Sequence, residues 1–230
     1  FLSIRARVPL NLPEVERHRL LLKELGIEGN EIRFELDIKN GDRAEAENIL
    51  ETYGIRKKDA FIVVHLSAPY RPRRWEIGRF AQTINWFLES YPHQVVVVGS
   101  QNEEVLFGEF SAGLSSSAKE RVRNLTGKTT LKQLAAIRER ARFYLGVDSG
   151  PMHLAVAAGT PVICLMGPGE FPRFAPYGEN HIIVRKALDC NTVTFCDQYV
   201  DNERCLRGSN ECMRLIDVSD VKDAIANMML

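Results

Sequence analysis

No apolar stretch in the chain is long enough to cross a bilayer. The longest runs, Phe61–Leu66 and Val95–Gly99, have the length of buried strands. A GxGxxG fingerprint is missing, and so is a Walker A loop, which argues against nicotinamide enzymes and P-loop nucleoside triphosphatases. No HExxH pair and no GxSxG elbow is present, which argues against the common zinc-protease and serine-hydrolase chemistries. An excess of either charge is missing as well. The 30 basic and 30 acidic residues cancel, so nothing points to nucleic acid or an acidic polymer as a partner. Cysteine pairs at short spacing are absent. Of five cysteines, Cys164 sits alone in the apolar run VICLM, and Cys190, Cys196, Cys205 and Cys212 have five, eight and six residues between them. A compact zinc site usually has a pair about two to four residues apart. The expectation is therefore reduced, structural cysteines and no metal, with a zinc-binding interaction module as the alternative. The opening FLSIRARVPL has no long apolar segment and no small-residue cleavage site, so it does not read as a signal peptide. It begins at Phe1 and reads like the middle of something longer, and the lack of a secretion signal disfavours obligatory disulfides.

What is present is an ordinary globular composition, 45% hydrophobic and 26% charged, in 230 residues. That length suits one large α/β domain or one domain with an extension. Residues 13–25 have helical apolar spacing ended by Gly26, residues 31–38 (EIRFELDI) alternate like a half-exposed strand, and residues 43–53 read as a helix ended by Gly54. A strand–helix rhythm follows. Strands are expected at 61–66, 95–99, 143–147, 162–166 and 181–185, residues 121–127 read as a short strand leaving into a loop, and helices are expected at 75–90, 102–110, 131–140, 151–158 and 217–229. Residues 111–118 read as a loop or a frayed helix end, and either Thr129 or Thr130 caps the helix after it. Alternation of this kind predicts an α/β fold, a Rossmann-like parallel sheet with helices on both faces.

Chemistry gathers where strands give way to helices, which is where ligands bind in doubly wound sheets. The densest such segment is Gly146-Val147-Asp148-Ser149-Gly150-Pro151-Met152-His153. A helix beginning there presents unpaired backbone N–H groups and a positive dipole end. Gly150 lets a ligand approach the backbone, Ser149 offers a hydroxyl, and His153 stands one turn into the helix. Asp148 does not favour a phosphate, so it braces the loop or accepts from a sugar hydroxyl. Asp or Ser before Pro is also an ordinary helix start. A second strand end, His65 to Trp75, carries Ser67 and three arginines, Arg71, Arg73 and Arg74, whose forks suit phosphate oxygens. A solvated basic loop is the other reading, preferred for Arg71. A third, Gly99 to Glu104, offers carboxylates that can hold ribose hydroxyls or simply start a helix. Together the three make a nucleoside diphosphate site plausible.

These segments resemble glycosyltransferase family 9, the ADP-heptose:lipopolysaccharide heptosyltransferases. The matching stretches are HLSAPYRPRRW, VVVVGSQNEE, LTGKTTLKQLAAI leading into FYLGVDSGPMHLAVAAGTPVICLMGP, and the cysteine-containing tail ending ECMRLI. The resemblance runs from about residue 10 to the end, and its D-S-G-P-M-H segment with the following G-T-P and G-P is the most specific part. It implies the C-terminal, donor-binding domain of a GT-B enzyme, whose two Rossmann-like domains face a cleft. It divides the chain into residues 1–40, the end of a largely absent N-terminal acceptor domain or the linker, and residues 41–230, the nucleotide-sugar-binding domain.

By that resemblance Ser67 touches a donor phosphate, and Arg73 stands where the family usually has Lys. Glu103 holds the nucleoside, with Gln101 as the alternative, and Asp148, Ser149, Gly150 and His153 surround the diphosphate and sugar. The family's catalytic Asp belongs to the N-terminal domain, and no residue of this chain is matched to it. The implied activity is an inverting transfer of a sugar, ADP-heptose being the expected donor, to a lipopolysaccharide core or related glycan. No cofactor, metal or nucleic acid is expected. The expected location is the cytoplasm, with peripheral contact at the inner face of the inner membrane. A non-catalytic nucleotide-sugar-binding module and a GT-B-fold sugar-nucleotide epimerase are the alternatives.

Overall fold

A computed structural model of the chain describes residues 6–9, 11–29, 31–168, 171–192, 205 and 210–230. Helices α1 (Glu14–Glu24) and α2 (Asn40–Thr52) precede the first strand. Then come β1 (Phe61–His65), α3 (Ile77–Ser90), β2 (Gln94–Val98), α4 (Glu104–Ala112), α5 (Ser116–Lys119), β3 (Val122–Asn124), α6 (Leu131–Arg140), β4 (Tyr144–Val147), α7 (Gly150–Ala157), β5 (Val162–Leu165) and β6 (His181–Val184). Three further helices, α8 (Asp189–Thr192), α9 (Glu211–Arg214) and α10 (Val218–Met229), follow the sheet.

The six strands are all parallel, in the order β3-β2-β1-β4-β5-β6. The chain builds outward from β1 to β3, returns to place β4 beside β1, and builds outward again to β6. The seam between β1 and β4 is therefore the point where strand order reverses, and doubly wound sheets bind ligands at its carboxyl end.

The central strands β1, β2, β4 and β5 are largely apolar and buried because both of their faces are covered. Ile62, Val64, Val95, Val97, Leu145 and Ile163 join Phe80, Ile84, Phe87 and Ile225 in one core layer. The alternate residues Phe61, Val63, Val96, Tyr144 and Val162 join Leu50, Leu134, Ile137 and Met152 in the other. Each fully buried aliphatic or aromatic side chain contributes about 1.5–3 kcal/mol. Trp75, expected within a helix, lies just before α3, where its buried indole N–H donates to the Ile216 carbonyl at 2.9 Å. That bond ties the C-terminal segment to the β1–α3 loop.

Two expectations change. Residues 31–38 form no strand. Their alternation is real, but the segment lies beside α2 and α6 instead of along a sheet edge. Ile38 packs into the core under α2, Asp37 pairs with Lys132 at 3.2 Å, and Phe34 meets the edge of the Tyr177 ring with centroids 6.0 Å apart. Residues 111–118 hold the end of α4 and the start of the single turn α5, whose Ser115 hydroxyl accepts from the Ala118 N–H at 3.2 Å. Thr130 is the residue that caps α6, in a reciprocal box with Gln133. Helix α1 is anchored to the loop after β5: Glu14 accepts from Arg173, one bond being 3.0 Å, and Tyr177 donates to Glu16 at 2.6 Å.

Candidate functional site

Arg73, at the end of a single 3₁₀ turn (Arg71–Arg73) in the loop after β1, reaches the loop after β4. Its Nη1 lies 3.1 Å from Asp148 Oδ2, and its guanidinium also lies over the Tyr70 ring, 5.8 Å from the centroid. The Asp148 side chain is only 3% exposed. Burial pushes its carboxyl pKa up, and the charges of Arg73 and His153 pull it back. His153, on the first turns of α7, places Nε2 4.0 Å from Asp148 Oδ1. Burial lowers the His153 pKa and Arg73 lowers it further, against the opposing pull of Asp148.

Helix α7 begins at this cluster with Pro151 in its first turn, where a missing N–H is harmless. Its N-cap residue Ser149 has an extended backbone and makes no side-chain cap; the hydroxyl donates to the Val147 carbonyl at 3.1 Å. The ordinary-cap reading of Ser149 is thus not what the helix uses. A Cβ added at Gly150 would meet no atom within 4 Å, so this backbone is open to an approaching group.

Ser67 and Glu103 lie on a neighbouring cavity of about 810 Å3, bordered also by His65, Arg74, Thr130 and Pro151. Ser67 is buried, and among the described residues its hydroxyl makes a long 3.4 Å contact to the Ala68 carbonyl. Arg74 Nε donates to the same carbonyl at 2.7 Å, which fixes the shape of the loop. The Glu103 carboxylate accepts from the Ser100 N–H at 2.6 Å and the Ser100 hydroxyl at 2.9 Å. His65 Nε2 faces it at 3.3 Å. Burial would raise the Glu103 pKa, but the His65 and Ser100 contacts outweigh it and hold the group at about 2. A second cavity of about 710 Å3, largely apolar, opens on the other side of Pro151 and is bordered by Gly150, His153, Leu154 and Phe174.

Six of the seven residues expected at the site thus cluster at the seam between β1 and β4: Ser67 and Arg73 after β1, and Asp148, Ser149, Gly150 and His153 after β4. Glu103 stands one strand over, past β2, and shares its cavity with Ser67. Sequence reasoning missed His65 and Thr130 as cavity residues, whereas Arg74, read with Arg71 and Arg73 as a phosphate-binding arginine, borders the cavity with its Nε turned to the Ala68 carbonyl. For His65 the available signal was an ionisable residue closing an otherwise apolar strand. Of the four tail cysteines, Cys196 lies outside the described residues, Cys212 is buried, and Cys190 and Cys205 are partly exposed. Among the described residues no helix is long and apolar enough to cross a membrane.

A parallel sheet wound both ways from β1, with a guanidinium and a helix N-terminus at its reversal point, defines a doubly wound α/β domain. Residues 1–199 match the family described as glycosyltransferase family 9 (heptosyltransferase), and the chain belongs to that family. Lipopolysaccharide heptosyltransferase 3 of Escherichia coli K12 is 28% identical over 170 residues, 73% of this chain and 48% of that protein. A family 9 glycosyltransferase structure from Veillonella parvula superposes with a TM-score of 0.81 at 19% identity, over 97% of this chain and 62% of that one. The Escherichia coli heptosyltransferase WaaC, solved with ADP, gives a TM-score of 0.66 at 19% identity, over 98% of this chain and 60% of that one. The chain spans about half the length of the curated relatives it matches. The sheet and its flanking helices are those of a domain in a GT-B fold.

Proposed function

We propose that this chain carries the donor site of a heptosyltransferase. It binds a nucleoside diphosphate sugar, ADP-heptose by analogy with its relatives, for inverting transfer to a lipopolysaccharide core or related glycan. The observation that carries the reading is the Arg73–Asp148 pair at the β1–β4 seam. It holds a guanidinium fork beside the open N-terminus of α7, so two kinds of donor converge where a diphosphate would sit.

In this reading the adenosine occupies the 810 Å3 cavity with its ribose against Glu103. The phosphates meet Ser67, Arg73 and the backbone of Ser149 and Gly150. The sugar points past His153 toward the second cavity. Asp148 keeps Arg73 in place and does not itself touch phosphate. An acceptor hydroxyl gives its proton to a carboxylate base, for which no residue of this chain is assigned, and attacks the anomeric carbon; the glycosidic C–O bond to the diphosphate breaks, and charge gathers on the departing ADP. Arg73 and the α7 dipole stabilise that charge, a role a metal ion plays elsewhere, so the reading requires no metal. Residues 1–40 lead into the donor domain formed by residues 41–230. The reading places the protein in the cytoplasm, in peripheral contact with the inner membrane.

The test is a competition titration of ADP-heptose against UDP-glucose on the 230-residue protein. Preferential binding of ADP-heptose supports the proposal. Binding of neither, or equal binding of both, refutes it.

A further inference from the structure

His65 closes the central strand β1 and is 3% exposed. Nothing in the strand requires an ionisable residue there, since Phe61 to Val64 are all apolar core. Its Nε2 is 3.3 Å from Glu103 Oε1 and 3.5 Å from Oε2, so it addresses both carboxylate oxygens. Its Nδ1 is buried and has no hydrogen-bond partner among the described residues. Among the described residues the ring's polar contact is therefore with Glu103, and both residues border the 810 Å3 cavity.

The rest of the surroundings fix the same carboxylate. Ser100 donates to Oε2 from its N–H and its hydroxyl. Gly99 lies so close that an added Cβ would sit 2.9 Å from Oε2. A carboxylate that only starts a helix turn needs the Ser100 contacts and nothing more. Here a glycine admits Glu103 to the strand end and a buried histidine faces both of its oxygens.

We propose that His65 is a positioning residue that holds the Glu103 carboxylate in the orientation that reads the ribose hydroxyls of the donor nucleotide. This rests on the donor-site reading given above. Glu103 has more lone pairs than the three donors use, so it can keep His65 and Ser100 while accepting from a ribose diol. Without His65 the carboxylate is held on one oxygen only and can rotate away from the cavity. The nucleotide would still be held by its phosphates, but recognition of the diol would be lost. His65 thus acts on specificity between nucleotides with and without ribose hydroxyls.

The experiment compares ADP with 2′,3′-dideoxy-ADP by calorimetry on the wild-type protein and on His65→Leu and His65→Gln. The wild type should prefer ADP by roughly tenfold or more, the scale of a hydrogen bond to a charged group. His65→Leu should bring the two affinities together by weakening ADP and leaving dideoxy-ADP unchanged. His65→Gln, whose amide can donate in place of Nε2, should restore most of the preference. An undiminished preference in folded His65→Leu overturns the proposal, as does failure of Gln to restore a preference lost in Leu. No binding of either nucleotide to the wild type refutes the donor-site reading itself, whereas equal binding of both refutes only the His65–Glu103 role. Should neither variant fold, the wild-type complex with ADP decides: Glu103 accepting from the ribose while still within reach of His65 Nε2 supports the proposal, and Glu103 turned away from His65 contradicts it.

Discussion

Arg73 and Asp148 meet across the seam between β1 and β4, with Nη1 3.1 Å from Oδ2. The pair joins two loops far apart in sequence, at the one place where the sheet reverses its winding. It is asymmetric. Asp148 is almost wholly buried, whereas about a quarter of the Arg73 side chain faces solvent.

That asymmetry sets the outcome of removing either partner. Asp148→Asn leaves an arginine that can turn to water, so thermal stability should change little, by less than about 1 kcal/mol. Arg73→Met leaves a buried, uncompensated carboxylate and should destabilise by about 2–4 kcal/mol. Both should weaken ADP binding. Denaturant melts of the two variants check the order; equal stability losses would mean the pair is not asymmetric.

Gly150 separates ligand binding from folding. Its Cβ would enter open space, and Ala loses less backbone freedom on folding than Gly. Gly150→Ala should therefore keep or raise the melting temperature while weakening ADP binding, because the methyl group occupies the mouth of α7. A variant that binds ADP as well as the wild type would remove Gly150 from the site.

His153 is half exposed, and among the described residues its ion-pair partner is Asp148 at 4.0 Å. Replacing it by Ala should leave the fold intact and cost ADP or ADP-sugar binding about 1–2 kcal/mol, the worth of a hydrogen bond to a charged group. Unchanged calorimetric affinity would exclude it.

Glu103 predicts a pH dependence. Its pKa is held at about 2, below the ordinary 4.5. A depressed carboxylate stabilises the fold above its unfolded pKa, and that contribution fades as pH falls through the interval between the two values. The wild type should lose stability between about pH 4.5 and 2, and Glu103→Gln should show a flatter acid limb and a lower neutral plateau. Parallel curves for the two proteins would contradict the assignment.

The central strands were legible in the sequence because they are buried on both faces and read as apolar runs, VVVV at 95–98 being the clearest. Residues 31–38 misled because alternation reports amphipathicity, and a chain lying along two helices has the same need for one apolar side as an edge strand. Of the site, the Asp148–His153 segment could be read directly, since strand, turn and helix are contiguous there. The Arg73–Asp148 and His65–Glu103 contacts could not, because each is made by tertiary packing between loops that only the sheet order brings together. Choosing Thr130 over Thr129 as the cap of α6 likewise depended on backbone geometry that both residues would tolerate.

The most direct test of the donor site is a calorimetric titration of the 230-residue protein with ADP and with AMP, in buffer containing EDTA. In the proposed donor site Arg73 and the α7 N-terminus hold the diphosphate in place of a metal. ADP should bind, and it should bind roughly tenfold or more tightly than AMP, the scale of one charge-assisted hydrogen bond. No heat with ADP, equal affinity for AMP, or binding that disappears with EDTA would contradict the account.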